Sequence, residues 1–415
     1  MNLNLFIARR IGRKRDNKGN SSHLSNKIAT VSVGISILVM IVSIAVLAGF
    51  RKEIREKARG FSGDIILSTP GVDITNEQYK VNGDLSFISK IDSLNFVKNI
   101  QKVSYRSGLI KTKSQIQGAI FKGIDSTYNL DFFKKHLYAG KLPKYETNFS
   151  NDILISKRMA EMLGYSVGDN MFAYFIDSDV KVRKFTILGI FDAQLEELDK
   201  TFIIADIKHI NRLNGWKNGE VSGFEILLAN GNSNNLANEE EIISNIIYDY
   251  SKDEDESVVL TTVRDTFYVL FDWLHLLDIN VFIILSLMIA VAGVNMVSGI
   301  LIILFENISQ IGLLKAMGMK DVDISKVFLL RASSIVAKGL LWGNVVAIIF
   351  CYAEWKFQFL TLNPANYFVK YVPIDISIFT ILLVSVIAFL LIMAILIIPC
   401  HFISRIDPAK TLVTK

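Results

Sequence analysis

The stretch from Ile279 to Lys320 constrains this chain most. Ile279–Phe305 is 27 residues without a charged side chain. As a helix rising about 1.5 Å per residue, it can cross a hydrocarbon layer about 30 Å thick with some tilt. Glu306-Asn307-Ile308-Ser309-Gln310 follows and leads into Ile311-Gly312-Leu313-Leu314-Lys315-Ala316-Met317-Gly318. The second piece reads as a short amphipathic segment closed by glycine. Held at a membrane surface between two spans, such a segment has the form of a handle for a partner protein.

Three more apolar runs define the plan, two of them uncharged and the third holding Lys338. Residues 1–27 are basic, with Arg9, Arg10, Arg13, Lys14, Arg15, Lys18 and Lys27 against Asp16, and Ile28–Phe50 is a first span. A signal peptide would have a shorter apolar core and a small-residue cleavage site, so the span is expected to be retained with its basic side in the cytoplasm. Asn4–Arg13 is expected to form an amphipathic elbow on the inner leaflet. The second span is read as 276–305, the segment bearing the handle as 306–332 and the third span as 333–353. A short outer loop, 354–375, precedes a fourth span, Ile376–Ile398, stopped by Pro399; the tail, 399–415, is again basic. Both termini are then cytoplasmic. Gly339 and Gly343 lie four residues apart in the third span, a spacing that lets helices approach closely.

Between the first two spans, residues 51–275 read as a water-soluble α+β domain on helical stalks. The charged run Arg51–Lys57 continues the first helix into water. Strands are expected at Asp64–Thr69, Val103–Lys111, Ile116–Gly123, Asp152–Ile155, Asn170–Ile176, Lys181–Ile190, Thr201–Ala205, Phe224–Ala229 and Val258–Thr262, and helices at Lys157–Leu163, Ile207–Leu213 and Glu239–Tyr250. Strand runs interrupted by helices point to two subdomains. Cys351 and Cys400 lie in or beside spans, so this domain has no disulfide framework.

Catalytic patterns are missing. There is no phosphate-binding Gly-x-x-x-x-Gly-Lys-Ser/Thr loop, no His-Glu-x-x-His and no Gly-x-Ser-x-Gly, and the five histidines have no ligand spacing. No catalytic residue and no metal ligand is expected. A basic stripe interleaved with aromatics is also missing, which excludes a nucleic-acid partner. Few charges inside the spans argue against an ion or proton carrier and favour a lipid-like substrate. Asn295, inside the second span, needs a hydrogen-bond partner: a neighbouring helix or a substrate path could supply it.

The residues resemble a known family. The four-span plan, the large domain after the first span and the Gln310–Gly318 segment are similar to the FtsX/MacB-type (type VII) permeases of ABC transporters. Within these, the similarity is greatest to the lipoprotein-releasing LolC/LolE permeases. Phe6-Ile7-Ala8-Arg9-Arg10 and Val46-Leu47-Ala48-Gly49-Phe50 resemble that family's first helix, and Ala292-Gly293-Val294-Asn295-Met296-Val297-Ser298 its second. Ile155–Ala160, Val167-Gly168-Asp169 and Phe185–Phe191 resemble its outer domain, and Ile406-Asp407-Pro408-Ala409-Lys410 its tail.

The resemblance implies a fold of four transmembrane helices with a MacB-like periplasmic α+β domain, in the bacterial inner membrane. It implies a non-catalytic subunit that works by mechanotransmission. The partners would be a separate ABC ATPase, two copies of which bind ATP and Mg, and a second permease, identical or homologous. Glu306, Gln310, Ile311, Gly312, Leu313, Leu314, Lys315, Ala316, Met317 and Gly318 would form the coupling helix. Ile44, Leu47, Phe50, Phe282, Leu285, Met288 and Asn295 would line the path of a lipoprotein drawn from the outer leaflet and passed to a periplasmic carrier. In one respect the chain departs from the family. The hairpin that engages the carrier in the LolC type is proline-containing and protruding, whereas here the turn is only Asp177-Ser178-Asp179. Two other outputs stay open: an FtsX-like regulator of an extracytoplasmic cell-wall hydrolase, and a MacB-like efflux permease.

Overall fold

The computed structural model describes residues 20–71, 73–112, 115–145, 149–177, 179–229, 236–250 and 258–404. The expected elbow at Asn4–Arg13, Ser178 of the hairpin turn and the tail beyond Ser404 lie outside the described residues. Four helices are long and apolar enough to cross a membrane. They are Asn20–Ser62, Tyr268–Glu306, Asp321–Phe357 and Ile378–Ser404, called here the first to fourth long helices. The first continues without a break past Phe50 to Ser62, since Arg51–Lys57 holds no residue that opposes a helix. The fourth does not stop at Pro399 but runs through it to Ser404. Proline removes one N–H and leaves one carbonyl free, which helix neighbours in a membrane protein compensate. The carbonyl left free here is that of Ile395; one residue past the proline, the Ser325 hydroxyl donates to Cys400 O at 3.1 Å and ties this turn to the third long helix.

The chain divides into two compact units. The helical unit contains the described residues up to Arg51, Trp273–Thr361 and those from Tyr371 onward. Its core is aliphatic, built from Ile37, Met40, Met296, Ile300, Phe328, Val336 and Ile392 among others. Glycine sets one crossing. A Cβ on Gly343 would lie 2.0 Å from Ile37 Cγ2 and 2.5 Å from the Gly34 carbonyl, and one on Gly339 would lie 2.8 Å from the Thr30 carbonyl. The first and third long helices therefore touch backbone to backbone, as the Gly339/Gly343 spacing suggests. Asn295 Nδ2 donates to Ser32 Oγ at 2.6 Å, so a neighbouring helix supplies its partner. Asn344 and Ser385 exchange hydrogen bonds of 3.0 Å between the third and fourth helices.

The outer unit is Lys52–Asp272 with Leu362–Lys370, so the middle of the loop between the third and fourth long helices belongs to it. In chain order its strands are β1 (Ile65–Ser68), β2 (Val81–Asn82), β3 (Val97–Lys111), β4 (Ile116–Ile124), β5 (Leu137–Gly140), β6 (Asp152–Ser156), β7 (Asn170–Ile176), β8 (Val180–Phe191), β9 (Phe202–Asp206), β10 (Glu220–Val221), β11 (Gly223–Leu228) and β12 (Val259–Thr262). One sheet runs β12-β1-β11-β3-β4-β9-β6-β8-β5, with β7 pairing both β3 and β8; β2 and β10 form a separate pair. Strand β3 is long enough to serve two cores. One packs β1, β11 and the Leu236–Tyr250 helix around Phe224 and Ile243; the other packs β4 and β6–β9 around Phe121, Phe175 and Phe185. The main sheet is continuous across both cores, so the two subdomains expected from the sequence form one compact unit here. Short elements without a periodic signal, such as β5 and the Glu196–Thr201 helix, escape the sequence reading.

Candidate functional site

The segment after the second long helix begins with a local break. Asn307 is buried, its backbone leaves helical geometry at φ −106° and ψ 17°, and its amide donates to the Ile303 carbonyl at 2.7 Å. This competing hydrogen bond ends one helix and lets a second, Ile308–Ala316, leave in a new direction. The exit is equally defined. Gly318 N–H donates to Lys315 O at 2.9 Å and Met319 N–H to Leu314 O at 3.0 Å, the paired bonds of a Schellman stop. Gly318 has φ +90°, a conformation glycine adopts without strain. Lys315 then pairs with Asp321 at 2.8 Å, fastening this helix to the start of the third.

The segment is not amphipathic as its spacing suggests. Ile311 and Gly312 are buried against the bundle, yet the opposite face is also apolar: Leu313 is 57% and Met317 68% exposed. Leu314 and Lys315 are half-buried, and Glu306, Gln310, Ala316 and Gly318 are exposed. Leu313 and Met317 are one turn apart and share a face. An apolar pair at the end of a helix closed by a Schellman stop suits a protein partner.

The path residues separate. Ile44 and Leu47 are half-buried, Leu285 and Met288 pack on the bundle core, and Phe282 is 70% exposed. Phe50 differs: it is buried, its ring meeting Trp273 edge-on at 5.6 Å. Arg51 pairs with Asp278 at 2.6 Å one residue further on. Phe50 and Arg51 thus pin the first helix to the second, and Phe50 is covered by its neighbour's indole instead of lying open to a lipid.

Sequence reasoning missed two buried polar clusters in the outer unit. In the first, Lys122 and Glu225 are fully buried on β4 and β11 and meet at 2.7 Å. Lys122 Nζ also donates to Tyr128 Oη at 2.9 Å and to the Phe61 carbonyl at the end of the first long helix. Tyr105 and Tyr128 hydroxyls donate to Glu225 at 2.8 and 3.1 Å. Burial, then the Glu225 charge, pushes both phenols well above their ordinary range, so both remain donors. A lone lysine in Ala119–Ile124 and a lone glutamate in Gly223–Leu228 were the available signal, because a charge inside an apolar strand requires a partner.

In the second cluster, Lys57 is buried and donates to the Phe368 carbonyl at 2.8 Å and to Gln194 Oε1 at 3.1 Å. Both acceptor residues have positive φ, 59° and 60°. Asp199 lies nearby; its Oδ2 accepts from Leu195 N–H at 3.2 Å, and its buried Oδ1 has no hydrogen-bond partner. Burial, then the Asp192 charge, pushes the Asp199 carboxyl up to about 7, and burial lowers Lys57 to about 8. The folded protein holds the Asp199 proton through a range where the unfolded chain has lost it. Stability contributed by Asp199 therefore falls as pH rises from about 4 to about 7. Asp199→Asn is expected to remove that fall, so that full-length wild type and variant differ in thermal unfolding at pH 7.5 and converge toward pH 5. Parallel curves at both pH values would refute it.

Among the described residues no three His, Cys, Asp or Glu side chains converge as a metal ion requires. Residues 282–408 match the FtsX-like permease C-terminal family, a stretch that takes in the Ile308–Ala316 helix and the third long helix. The chain is 24% identical over 442 residues to the lipoprotein-releasing system transmembrane protein LolC of Neisseria meningitidis, covering 99% of both. It is 20% identical to LolE of Haemophilus influenzae, again over 99% of both. Two solved structures align with part of it. The periplasmic region of MacB from Actinobacillus actinomycetemcomitans aligns over 53% of this chain and 97% of that one, at 12% identity and a TM-score of 0.34. The extracellular domain of the transporter YknZ aligns over 48% and 99%, at 14% identity and a TM-score of 0.34. Residues 282–408 thus carry an FtsX-like permease domain, in a chain with four membrane-spanning helices that is similar from end to end to the LolC and LolE transmembrane proteins.

Proposed function

We propose that this chain is the transmembrane subunit of an ABC transporter that extracts lipoproteins from the outer leaflet of the inner membrane, with energy from a separate ATPase. The observation that carries the reading is the exposed apolar pair Leu313/Met317 on a capped helix between two spans, in a chain similar over its full length to lipoprotein-releasing permeases. The ATPase, binding ATP and Mg, grips that helix on the cytoplasmic side, and both termini lie on the same side. A second permease, identical or homologous, completes the path, and the outer domain faces the periplasm, where a carrier takes the cargo. Lifting acyl chains out of lipid costs about 0.8 kcal/mol per methylene, so several tens of methylenes call for ATP.

The test is release of a labelled lipoprotein from proteoliposomes containing the permeases and the ATPase. Leu313→Asp should cut ATP-driven release about tenfold, the effect of losing one central apolar contact, while the protein still inserts. Unchanged release would refute docking at this helix. Mass spectrometry of the ATP-free complex should find a bound lipoprotein; a complex that binds none while its ATPase stimulates a cell-wall hydrolase would replace transport with signalling.

A further inference from the structure

We infer that Arg331 and Lys338 on the third long helix form a binding site for the phosphate-bearing headgroup of an anionic phospholipid, in the leaflet nearer the Ile308–Ala316 helix. The two cations are seven residues apart, two turns or about 10.5 Å along one helix face. Ser334 lies between them on that face and Trp342 one turn beyond Lys338. Lys338 is exposed and Arg331 half-buried; neither makes an ion pair or hydrogen bond among the described residues. Trp342 is 69% exposed, so this face looks away from the bundle.

Depth follows from the helix register. Asn344 meets Ser385 and Ser325 meets Cys400, which puts Lys338 opposite the turn near Leu390 on the fourth helix. The apolar run of that helix continues to Ile398, eight residues or about 12 Å further toward the coupling side. Lys338 is therefore a cation set inside an apolar band, its flexible stem able to carry the ammonium toward Arg331 and the interface. The first helix adds to this. Thr30 O faces Gly339, so Lys27, one turn earlier and exposed, lies at a level between Arg331 and Lys338.

Among the described residues no acidic side chain answers these charges. The acids that begin the third helix are engaged: Asp321 with Lys315 at 2.8 Å and Asp323 with Lys326 at 3.5 Å. The fourth helix has none from Ile378 to Ser404, and the second has none from Ile279 to Phe305. A lipid phosphate is the anion available at that depth, and a tryptophan beside the cations suits the headgroup–acyl boundary.

The full chain, purified in detergent and titrated with phosphatidylglycerol or phosphatidylcholine, tests this by thermal unfolding and native mass spectrometry. Phosphatidylglycerol should bind and stabilise wild type more strongly. Lys338→Met should weaken its binding about fivefold, while Lys338→Arg retains it and the phosphatidylcholine response is unchanged in all three. Lys338→Met is at least as apolar as wild type, and its unfolding in phosphatidylcholine reports whether it folds. Equal response of wild type to the two lipids, or equal phosphatidylglycerol binding by wild type and Lys338→Met, would leave only snorkelling side chains and overturn the site. Inorganic phosphate that reproduced the phosphatidylglycerol shift would overturn the assignment to a lipid.

Discussion

Lys122→Met is expected to lower the unfolding temperature of the full chain's outer unit by roughly 10 °C, from a loss of about 3–5 kcal/mol. Methionine fills similar volume but removes the cation bonded to Glu225. The carboxylate stays buried with two phenol donors, and the Phe61 carbonyl loses its donor from β4. An ion pair replaced as a unit costs far less than one that is broken. Lys122→Met with Glu225→Gln should therefore recover more than half of the loss, since the glutamine carbonyl can still accept from Tyr105 and Tyr128. Circular dichroism melts of the two variants and wild type decide it: a single variant that unfolds with wild type would show the pair to be dispensable. Because Lys122 also bonds the last turn of the first long helix, amides near Phe61 should exchange faster in the single variant.

Gly343→Val is the second large effect, and it acts on the helical unit. The added Cβ alone would overlap Ile37 Cγ2 and the Gly34 carbonyl, and the latter is backbone that cannot move by changing a rotamer. The helices must separate, which gives up close packing on both sides of the crossing; overpacking of this kind costs about 1–3 kcal/mol or more. Gly34→Ala is the internal control, because its Cβ would stand 3.3 Å from the Gly339 carbonyl and needs only a small adjustment. Thermal unfolding in detergent should rank wild type and Gly34→Ala together and Gly343→Val well below. Equal melting of all three would mean the crossing is not tight. A tight crossing also bears on the Lys338 face, since the same contact sets the level of Lys27 beside it.

Much of the architecture was legible because it depends on local periodicity. Long apolar runs, uncharged in three of the four cases, announced the spans, and alternation in Asn170–Ile176 or Ile116–Gly123 announced strands. The break at Glu306–Gln310 and the Gly318 stop were equally local, so a short separate helix between two spans was legible before its geometry was known. Its character was misjudged: spacing implied one polar face, whereas both faces are apolar and one is open. Pro399 was read as a stop, but the fourth long helix runs through it to Ser404, as membrane helices tolerate proline better than soluble ones.

What the chain's residues determined by themselves is the number of membrane-spanning helices, the place of the large domain between the first two and the position of the short Ile308–Ala316 helix. Only the tertiary structure decided which charges are paired and which are left to a ligand. Lys122 finds Glu225 across 103 positions and Lys57 finds the Phe368 carbonyl across 311, while Arg331 and Lys338, equally plain in the sequence, find no partner among the described residues. The physical reason is that helix and strand preferences act over a few residues. A buried charge is instead satisfied by whatever the packed fold brings within about 3 Å, and spacing along the chain does not encode that.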